Sequence, residues 1–337
     1  MKVFVTGASG FFGGRLVPRL VELGHEVTTF GRSKDIPAFA ELKSCHHITG
    51  DIGDVAAMTS AMAGADVVFH MAGLVSYRKS DYDRLYEANV LGSRNVMQAA
   101  VAAKAGRVIH LGSIAGMGIP APGTVGTEDL EYNLKGLGLY YCDTKHESDV
   151  EVLKFASQIP VLILSPGITF GEGDNHPHHH TIFNSMAKGG LVGFPRGGVT
   201  FSDIQDVVQS CVNAMTMGRP GQKYVIGSAN MTFQNAANTV SKIVGSKPPL
   251  FAIPGPISEL AGAACEAIFP VLGLTPVLTR QVAWLSQRNI FFSSEKAVLE
   301  LGLKQTSFED TIRRTAPYYL SAAKLTRSKT PSMSPGT

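Results

Sequence analysis

The sequence predicts an α/β protein, a doubly wound parallel sheet joined to a smaller, helix-rich lobe. Short runs that are apolar on both faces alternate with longer amphipathic segments, the pattern of parallel strands covered by helices on both sides. The first apolar run leads into a glycine-rich turn, and a helical pattern follows it directly. In such sheets the ligand lies at the carboxyl ends of the strands, so we expect the functional residues at this edge.

Seven apolar runs are predicted as strands: KVFVTG (2–7), HEVTTFG (25–31), CHHITGD (45–51), DVVFHMAG (66–73), GRVIHLGS (106–113), PVLILSPG (160–167) and QKYVIGS (222–228). Helical periodicity predicts helices between and after them, at 13–24, 55–64, 82–105, 140–158 and 203–218. After Pro166 the regular alternation ends. Residues 167–180, GITFGEGDNHPHHH, are expected to form a loop.

The composition argues against several classes of function. The 337 residues include 30 Lys and Arg against 27 Asp and Glu, with no basic block, so nucleic acid is not an expected partner. Four cysteines without CxxC spacing argue against a disulfide framework and indicate a reduced, cytoplasmic protein, and no signal peptide is visible. The apolar segment 255–278 is interrupted by Glu and Pro. We expect no membrane span there, and contact with a membrane surface is left open.

Gly7, Gly10 and Gly13 form a GxxGxxG pattern between the first strand and the first helix. Glycine there permits a tight turn, lets a pyrophosphate approach the backbone and allows close helix–strand packing. The helix N-terminus then offers unpaired N–H groups and a partial positive charge to the phosphates. The pattern predicts a Rossmann-type dinucleotide site. The alternative is a turn that merely contains glycine.

The end of the second strand predicts which dinucleotide is preferred. An NAD-specific site usually has Asp or Glu there to bind the ribose 2′-hydroxyl. Here the strand ends in TTFGRSK, and Arg32 follows Gly31. A guanidinium suits a 2′-phosphate, so NADP(H) is the preferred cofactor and NAD(H) is left open. The alternative is that Arg32 is a solvated loop charge.

Tyr141 and Lys145 lie four residues apart on a predicted helix and share one face. An ammonium near a phenol stabilises the phenolate, so we expect Lys145 to lower the pKa of Tyr141 from about 10 toward working pH. Ser113 stands just past a predicted strand, at the edge where the nicotinamide should lie. Its hydroxyl would bind a carbonyl oxygen while Tyr141 supplies a proton. The three residues predict hydride transfer to or from a carbonyl.

These segments together resemble the extended branch of the short-chain dehydrogenase/reductase superfamily, in the NAD-dependent epimerase/dehydratase family. In pattern they are most similar to its dihydroflavonol-reductase-like and 3β-hydroxysteroid-dehydrogenase-like members. One position departs: the segment that closes over the nicotinamide commonly begins Arg-Pro, and here Ser165 precedes Pro166. The motifs that carry the resemblance are TGASGFFG (6–13), GDIGD (50–54), VVFHMAG (67–73), EANVLGSRNVMQAA (87–100), YCDTK (141–145) and SPGITFGEGD (165–174).

The resemblance implies three groups of site residues. The catalytic group is Ser113, Tyr141, Lys145 and the supporting Asn89. The cofactor group is Gly7, Ser9, Gly10, Phe11, Phe12, Gly13, Arg32, Asp51, Ile52, Ala72, Gly73, Tyr141, Lys145, Pro166, Gly167 and Ile168. The substrate group is Val75, Ser76, Met117, His178 and His179. No metal site is expected in the His176–His180 segment, because adjacent histidines point in different directions and no Cys, Asp or Glu stands at ligand spacing.

The leading hypothesis is an NADPH-dependent reductase of a ketone or aldehyde, or the reverse alcohol dehydrogenase. A nucleotide-sugar epimerase or dehydratase is the alternative. A non-enzymatic NADP sensor is disfavoured because all three catalytic positions are filled. We expect a dinucleotide-binding domain at 1–169 with 201–227 returning to it, a discontinuous substrate lobe at 170–200 and 228–322, and a disordered tail at 323–337. The resemblance also implies a homodimer built on helices 82–104 and 140–157.

Overall fold

The computed structural model describes residues 1–174, 177–187, 193–269, 271 and 278–327. At 177, 178, 181, 182 and 322–327 it describes the backbone alone. The strands of this part of the chain are β1 (Lys2–Thr6), β2 (Glu26–Gly31), β3 (Cys45–Thr49), β4 (Val67–His70), β5 (Arg107–Leu111), β6 (Val161–Pro166), β7 (Ile168–Phe170), β8 (Gly193–Pro195), β9 (Gly198–Asp203), β10 (Gln222–Ile226), β11 (Ala229–Thr232), β12 (Phe251–Ile253) and β13 (Asn289–Ile290).

The α-helices of the same residues are α1 (Gly13–Glu22), α2 (Val55–Ala61), α3 (Tyr82–Leu85), α4 (Gly92–Ala102), α5 (Tyr140–Leu153), α6 (Pro177–Ala187), α7 (Ile204–Ala214), α8 (Phe233–Val244), α9 (Gly255–Ile268), α10 (Arg280–Leu285), α11 (Glu295–Leu301) and α12 (Phe308–Arg327). A π-helical turn, Tyr86–Leu91, joins α3 to α4, so the predicted helix at 82–105 is continuous but unevenly wound. The helix α12 extends into the segment predicted as a disordered tail, and residues 328–337 lie outside the described residues.

Seven strands form one parallel sheet in the order β10-β6-β5-β4-β1-β2-β3. They correspond to the seven apolar runs, and the predicted doubly wound sheet is confirmed. The chain runs outward in one direction from β1 through β2 and β3, and then in the other from β4. The carboxyl ends of β1 and β4 therefore flank the switch point at which such sheets bind ligands.

The two faces of the sheet belong to two separate apolar cores. Val3 and Val5 of β1 point into the core formed with α1 and α7, whereas Phe4 points into the core formed with α2, α4 and α5. All three side chains are buried, and each contributes about 1.5–3 kcal/mol through the removal of apolar surface from water. Burial on both faces explains why the strands are apolar throughout instead of alternating.

A second, smaller sheet was not predicted. Its strands β11, β9 and β13 are adjacent, and β7 pairs with β9. Phe170 at the end of β7 packs against Phe201 and Phe308, with ring centroids 5.9 Å apart in each pair. These strands are two to six residues long, too short to show a periodicity against the surrounding turns. The lobe beyond Pro166 thus combines helices with a sheet.

The predicted loop at 167–180 is also wrong in part, because it contains β7 and the start of α6. Pro177 is the first residue of α6, a position at which proline needs no N–H partner and has a suitable φ. Among the described residues, no group of three His, Cys, Asp or Glu could hold a metal ion. In the same part of the chain, no helix is both long enough and apolar enough to span a membrane.

Candidate active site

The glycine-rich turn between β1 and α1 requires glycine at two positions, Gly7 and Gly13. Gly7 has φ +74°, and a Cβ there would lie 2.4 Å from the backbone nitrogen of Ala72. A Cβ on Gly13 would lie 2.4 Å from the carbonyl oxygen of Gly7. The turn is therefore pressed against the end of β4 on one side and against its own helix on the other.

This turn fits a bound diphosphate. Ser9 and Gly10 are exposed at its tip, while Phe11 is buried in the core and Phe12 forms the start of α1. The first turn of α1 has no acidic residue, so nothing opposes the positive end of its dipole. The helix N–H groups and the bare backbone are the features by which a helix N-terminus holds phosphates.

The loop after β2 is held from below by β3. The carbonyl oxygen of Ser33 accepts hydrogen bonds from His47 Nε2 at 2.7 Å and from Thr49 Oγ1 at 3.3 Å. Arg32 directly before it is exposed. The loop backbone is thus fixed while the Arg32 guanidinium points to the solvent side, available to an anionic ligand.

The turn after β3 is shaped by its own carboxylate. Asp51 Oδ1 accepts a hydrogen bond from the Gly53 backbone nitrogen at 2.7 Å. The carbonyl oxygen of Ile52 accepts one from Asn95 Nδ2 at 3.1 Å, which ties the turn to α4. Asp51 is exposed and Ile52 is half-buried at the carboxyl edge of the sheet.

Asn89 links the end of β4 to the catalytic helix. Its Nδ2 donates to the Leu74 carbonyl oxygen at 3.0 Å and to Thr144 Oγ1 at 3.2 Å, and its Oδ1 accepts from the Leu74 nitrogen at 2.7 Å. It lies in the π-helical turn, a local winding often found at functional sites. Asn89 therefore fixes the segment of Ala72 and Gly73 relative to α5.

The structure brings Ser113 and Tyr141 together. Ser113 begins a 3₁₀ turn directly after β5, where its Oγ accepts a hydrogen bond from Ala115 N at 3.2 Å. Tyr141, in the first turn of α5, is buried, and its phenol lies close enough to Ser113 for the serine to influence its pKa. Burial raises the pKa of Tyr141 to about 12, and Ser113 opposes this rise.

Lys145 lies one helical turn after Tyr141 and is also buried. Its Nζ donates to the carbonyl oxygen of Leu111 at 2.8 Å, at the end of β5. Burial lowers the pKa of Lys145, and the carboxylate of Asp149 partly offsets this. The expected fall in the Tyr141 pKa does not occur among the protein's own groups, because loss of hydration disfavours the phenolate and the charges of Cys142 and Asp149 act in the same direction.

The segment from Pro166 to Ile168 leads from the large sheet to the small one. The Gly167 nitrogen donates to Ser202 Oγ at 2.8 Å. A Cβ on Gly167 would lie 2.1 Å from the carbonyl oxygen of Thr200, so the segment runs flush against β9. Pro166 is buried, while Gly167 and Ile168 are half-buried beside the end of β6.

The predicted substrate residues are mostly engaged with the protein itself. Ser76 Oγ donates to Asp81 at 2.6 Å, and Met117 is buried. His179 Nδ1 lies 2.6 Å from an Asp174 carboxylate oxygen. Val75 is exposed, and the side chain of His178 lies outside the described residues. The contacts of Ser76, Met117 and His179 therefore indicate structural roles.

Tyr77 is a site residue that the sequence analysis missed. Its ring stands edge-on to that of Tyr141, with centroids 5.3 Å apart and planes at 65°. Burial raises the pKa of Tyr77 well above its ordinary value. The sequence did contain a signal for Tyr77, because it directly follows Val75 and Ser76, two predicted substrate residues in the loop after β4.

Comparison with known proteins identifies the family of the chain. The profile of the NAD dependent epimerase/dehydratase family matches residues 3–227. Sterol demethylase protein B of Methylococcus capsulatus is 30% identical, covering 75% of this chain and 78% of its own. A 2-alkyl-3-oxoalkanoate reductase of Stenotrophomonas maltophilia is 29% identical, over 93% of this chain and 98% of its own. A 3-beta-hydroxysteroid dehydrogenase of Mycolicibacterium neoaurum is 27% identical, over 94% of this chain and 91% of its own.

Solved structures share the whole fold. The crystal structure of gox2253 matches with a TM-score of 0.81 and 27% identity, over 96% of this chain and 98% of that chain. MoeE5 in complex with UDP-glucuronic acid and NAD matches with a TM-score of 0.74 and 20% identity, over 96% of this chain and 100% of that chain. This match shows the fold alone. The chain belongs to the NAD dependent epimerase/dehydratase family, and is an NAD(P)-dependent oxidoreductase of the extended short-chain dehydrogenase/reductase type.

Proposed function

We propose that this protein is an NADPH-dependent reductase of a ketone or aldehyde, or catalyses the reverse alcohol oxidation. The observation that carries the proposal is that Ser113 and the phenol of Tyr141 lie next to each other at the carboxyl edge of the sheet. A hydroxyl and a phenol in this arrangement can both reach one carbonyl oxygen placed between them. The relatives named as a reductase and a hydroxysteroid dehydrogenase support the same chemistry.

The protein groups suit carbonyl reduction. The bound nicotinamide supplies the hydride. Ser113 donates a hydrogen bond to the carbonyl oxygen and Tyr141 donates the proton that the oxygen needs as it becomes an alkoxide. With a pKa of about 12, Tyr141 carries that proton at neutral pH. Alcohol oxidation instead requires the phenolate, so it is favoured at higher pH.

The residues around this pair would hold the cofactor. The Lys145 ammonium would bind the nicotinamide ribose, a site one helical turn from Tyr141. The glycine turn with Ser9 and Gly10 exposed would hold the diphosphate. Asn89 would act through position, since its amide joins the segment after β4 to α5.

Arg32 supports NADP(H) over NAD(H). It is exposed directly after β2, on a backbone fixed by His47 and Thr49. A fixed loop with a guanidinium suits a 2′-phosphate, because charge-assisted hydrogen bonds form without reorganising the chain.

The alternative function is a nucleotide-sugar epimerase or dehydratase, in which the hydride returns to the same substrate molecule. The family's own description, which names epimerases and dehydratases, favours it. The two functions differ in one measurable quantity. A reductase consumes NADPH stoichiometrically, whereas an epimerase consumes none.

The decisive experiment follows the absorbance of NADPH and NADH separately against ketones, aldehydes and nucleotide sugars. We expect net NADPH oxidation with carbonyl compounds, and its loss in Tyr141→Phe. Interconversion of nucleotide sugars without net NADPH oxidation would overturn the proposal in favour of the epimerase.

We also propose a homodimer built on α4 and α5. These helices lie side by side on one face of the sheet, and Arg94 of α4 is paired with Glu151 of α5 at 2.9 Å. Tyr82 and Val150 are exposed on this side, and the Tyr82 ring packs on Tyr140 with centroids 5.0 Å apart. Two such helix pairs would form the four-helix bundle of a symmetric dimer.

A further inference from the structure

Ser165 stands where an arginine commonly precedes the proline of this segment, and the structure shows where the positive charge is instead. Ser165 is fully buried at the end of β6, and its Oγ has no hydrogen-bond partner. The neighbouring strand β10 pairs Val225 with Ser165 and Lys223 with Ile163. Lys223 therefore lies on the neighbouring strand, two residues before the residue that pairs with Ser165.

The Lys223 side chain ends on a buried carboxylate. Its Nζ lies 2.7 Å from Asp149 Oδ2, and the Asp149 side chain is 1% exposed. Asp149 belongs to α5, one helical turn after Lys145 and two after Tyr141. The carboxylate therefore lies on the same face of α5 as Tyr141 and Lys145, one turn further along the helix.

The geometry around Gly112 places the Ser165 hydroxyl and the Asp149 carboxylate in the same neighbourhood. A Cβ on Gly112 would lie 2.8 Å from Ser165 Oγ and 3.0 Å from Asp149 Oδ1. Both oxygens thus lie close to the backbone of Gly112, the residue before Ser113. In this chain the cation that reaches Asp149 is Lys223, from the neighbouring strand β10.

We propose that Asp149 and Lys223 form a positioning pair that sets the charge of the Lys145 ammonium, with Lys223 replacing the cation of position 165. The proposal rests on the role of Lys145 in the proposed function. Neither Asp149 nor Lys223 touches the reacting atoms. Both act through Lys145.

Two buried histidines complete the surroundings of Lys145. His70 of β4 and His110 of β5 stack with centroids 5.1 Å apart, and His110 Nε2 lies 3.6 Å from Asp149 Oδ1. Burial lowers the pKa of both histidines, so both are neutral at neutral pH. Their positions are fixed by Ser93, which lies 2.9 Å from His70, and by Ser148, which lies 3.1 Å from His110.

The charges nearest Lys145 therefore act in opposite directions. The Asp149 carboxylate favours the Lys145 ammonium, and Lys223 disfavours it. Removing the carboxylate lowers the pKa of Lys145 and removing the Lys223 ammonium raises it. Removing both largely cancels the shift. A purely structural role would give damage of the same sign in every variant.

The test compares Asp149→Asn, Lys223→Met, the double variant, and Ser165→Arg combined with Lys223→Met. Each is measured for the pH dependence of kcat/KM and, separately, for the pH dependence of the NADPH dissociation constant by fluorescence. In both profiles, the change at alkaline pH reports the deprotonation of the Lys145 ammonium. We expect this alkaline limb to move about one pH unit down in Asp149→Asn and up in Lys223→Met. It should return toward wild type in both combined variants, and Lys242→Met, at an exposed lysine, should leave it unchanged.

The NADPH-binding limb separates this inference from the proposed function. Opposite shifts in binding, with no carbonyl turnover in any variant, would support the pair and overturn the reductase. Shifts of the same sign, or no shift, in folded variants would overturn the pair whatever the activity. If Asp149→Asn does not fold, Lys223→Met and the two combined variants still decide, because the double variant removes both members of the Asp149–Lys223 pair together.

Discussion

The ring of Tyr77 stands edge-on to that of Tyr141, with centroids 5.3 Å apart. Tyr77 thus forms a wall beside the phenol that we propose to donate the proton. We predict that Tyr77→Ala raises KM for bulky carbonyl substrates about 10-fold, because the substrate would lose its contact with the ring, and aromatic contacts contribute about 0.5–1.5 kcal/mol. Tyr77→Phe keeps the ring and should behave as wild type. An unchanged substrate profile in Tyr77→Ala would remove the residue from the cleft.

Tyr141→Phe removes the proton donor and leaves the packing of α5. We expect kcat to fall by about 10²–10⁴-fold, the usual effect of losing a general acid. NADPH binding, measured by fluorescence, should stay within a factor of a few. Tyr140→Phe is the matched control on the same helix and should retain activity. Wild-type turnover in Tyr141→Phe would disprove the catalytic assignment.

Arg32→Ala tests the preference for NADP(H). We expect the dissociation constant for NADPH to rise about 10–100-fold, the effect of removing a hydrogen-bonded charge, while that for NADH stays unchanged. Lys43→Ala, which removes an exposed charge just before β3, at the opposite edge of the sheet, should change neither constant. Equal losses for both cofactors would mean that Arg32 does not contact the 2′-phosphate.

Glu151 links the stability of the protein to pH. The hydrogen bond from Arg94 and the ion pair with Lys154 lower the pKa of Glu151 to about 2, below its value of about 4.3 in an unfolded chain. Its stabilising effect is therefore complete above about pH 5 and is lost progressively as the pH falls toward 2. We predict that Glu151→Gln lowers the free energy of unfolding by about 2 kcal/mol at neutral pH and by much less at about pH 3. Urea unfolding at both pH values measures this.

Glu147 on the same helix provides the opposite control. Burial raises the pKa of Glu147, so its charged form is disfavoured by folding. Glu147→Gln should leave the protein as stable as wild type, or slightly more stable, at neutral pH. An equal loss of stability in both variants would show that helix α5, and not the Arg94–Glu151 pair, is responsible.

The proposed dimer predicts a particle of twice the chain mass in light scattering at micromolar concentration. Val150→Arg places a charge on the exposed surface of α5 and should shift the protein toward monomer. Val298→Arg, on α11 and similarly exposed, should not. A monomeric wild type would reject the dimer.

The sequence by itself determined the sheet and the candidate catalytic residues. The strands are visible because burial on both faces demands apolar runs, as in Val3, Phe4 and Val5. Tyr141 and Lys145 are visible because helical spacing is a local property, and Ser113 because a strand end can be read from its apolar run. Each of these signals lies within a few neighbouring residues.

Only the tertiary structure decided the surroundings of those residues. The contacts of Asp149 with Lys223 and of Tyr77 with Tyr141 join segments far apart in the chain, which no local pattern reports. The pKa of Tyr141 rises because the fold removes water from the phenol, and the extent of that loss depends on every element packed around it.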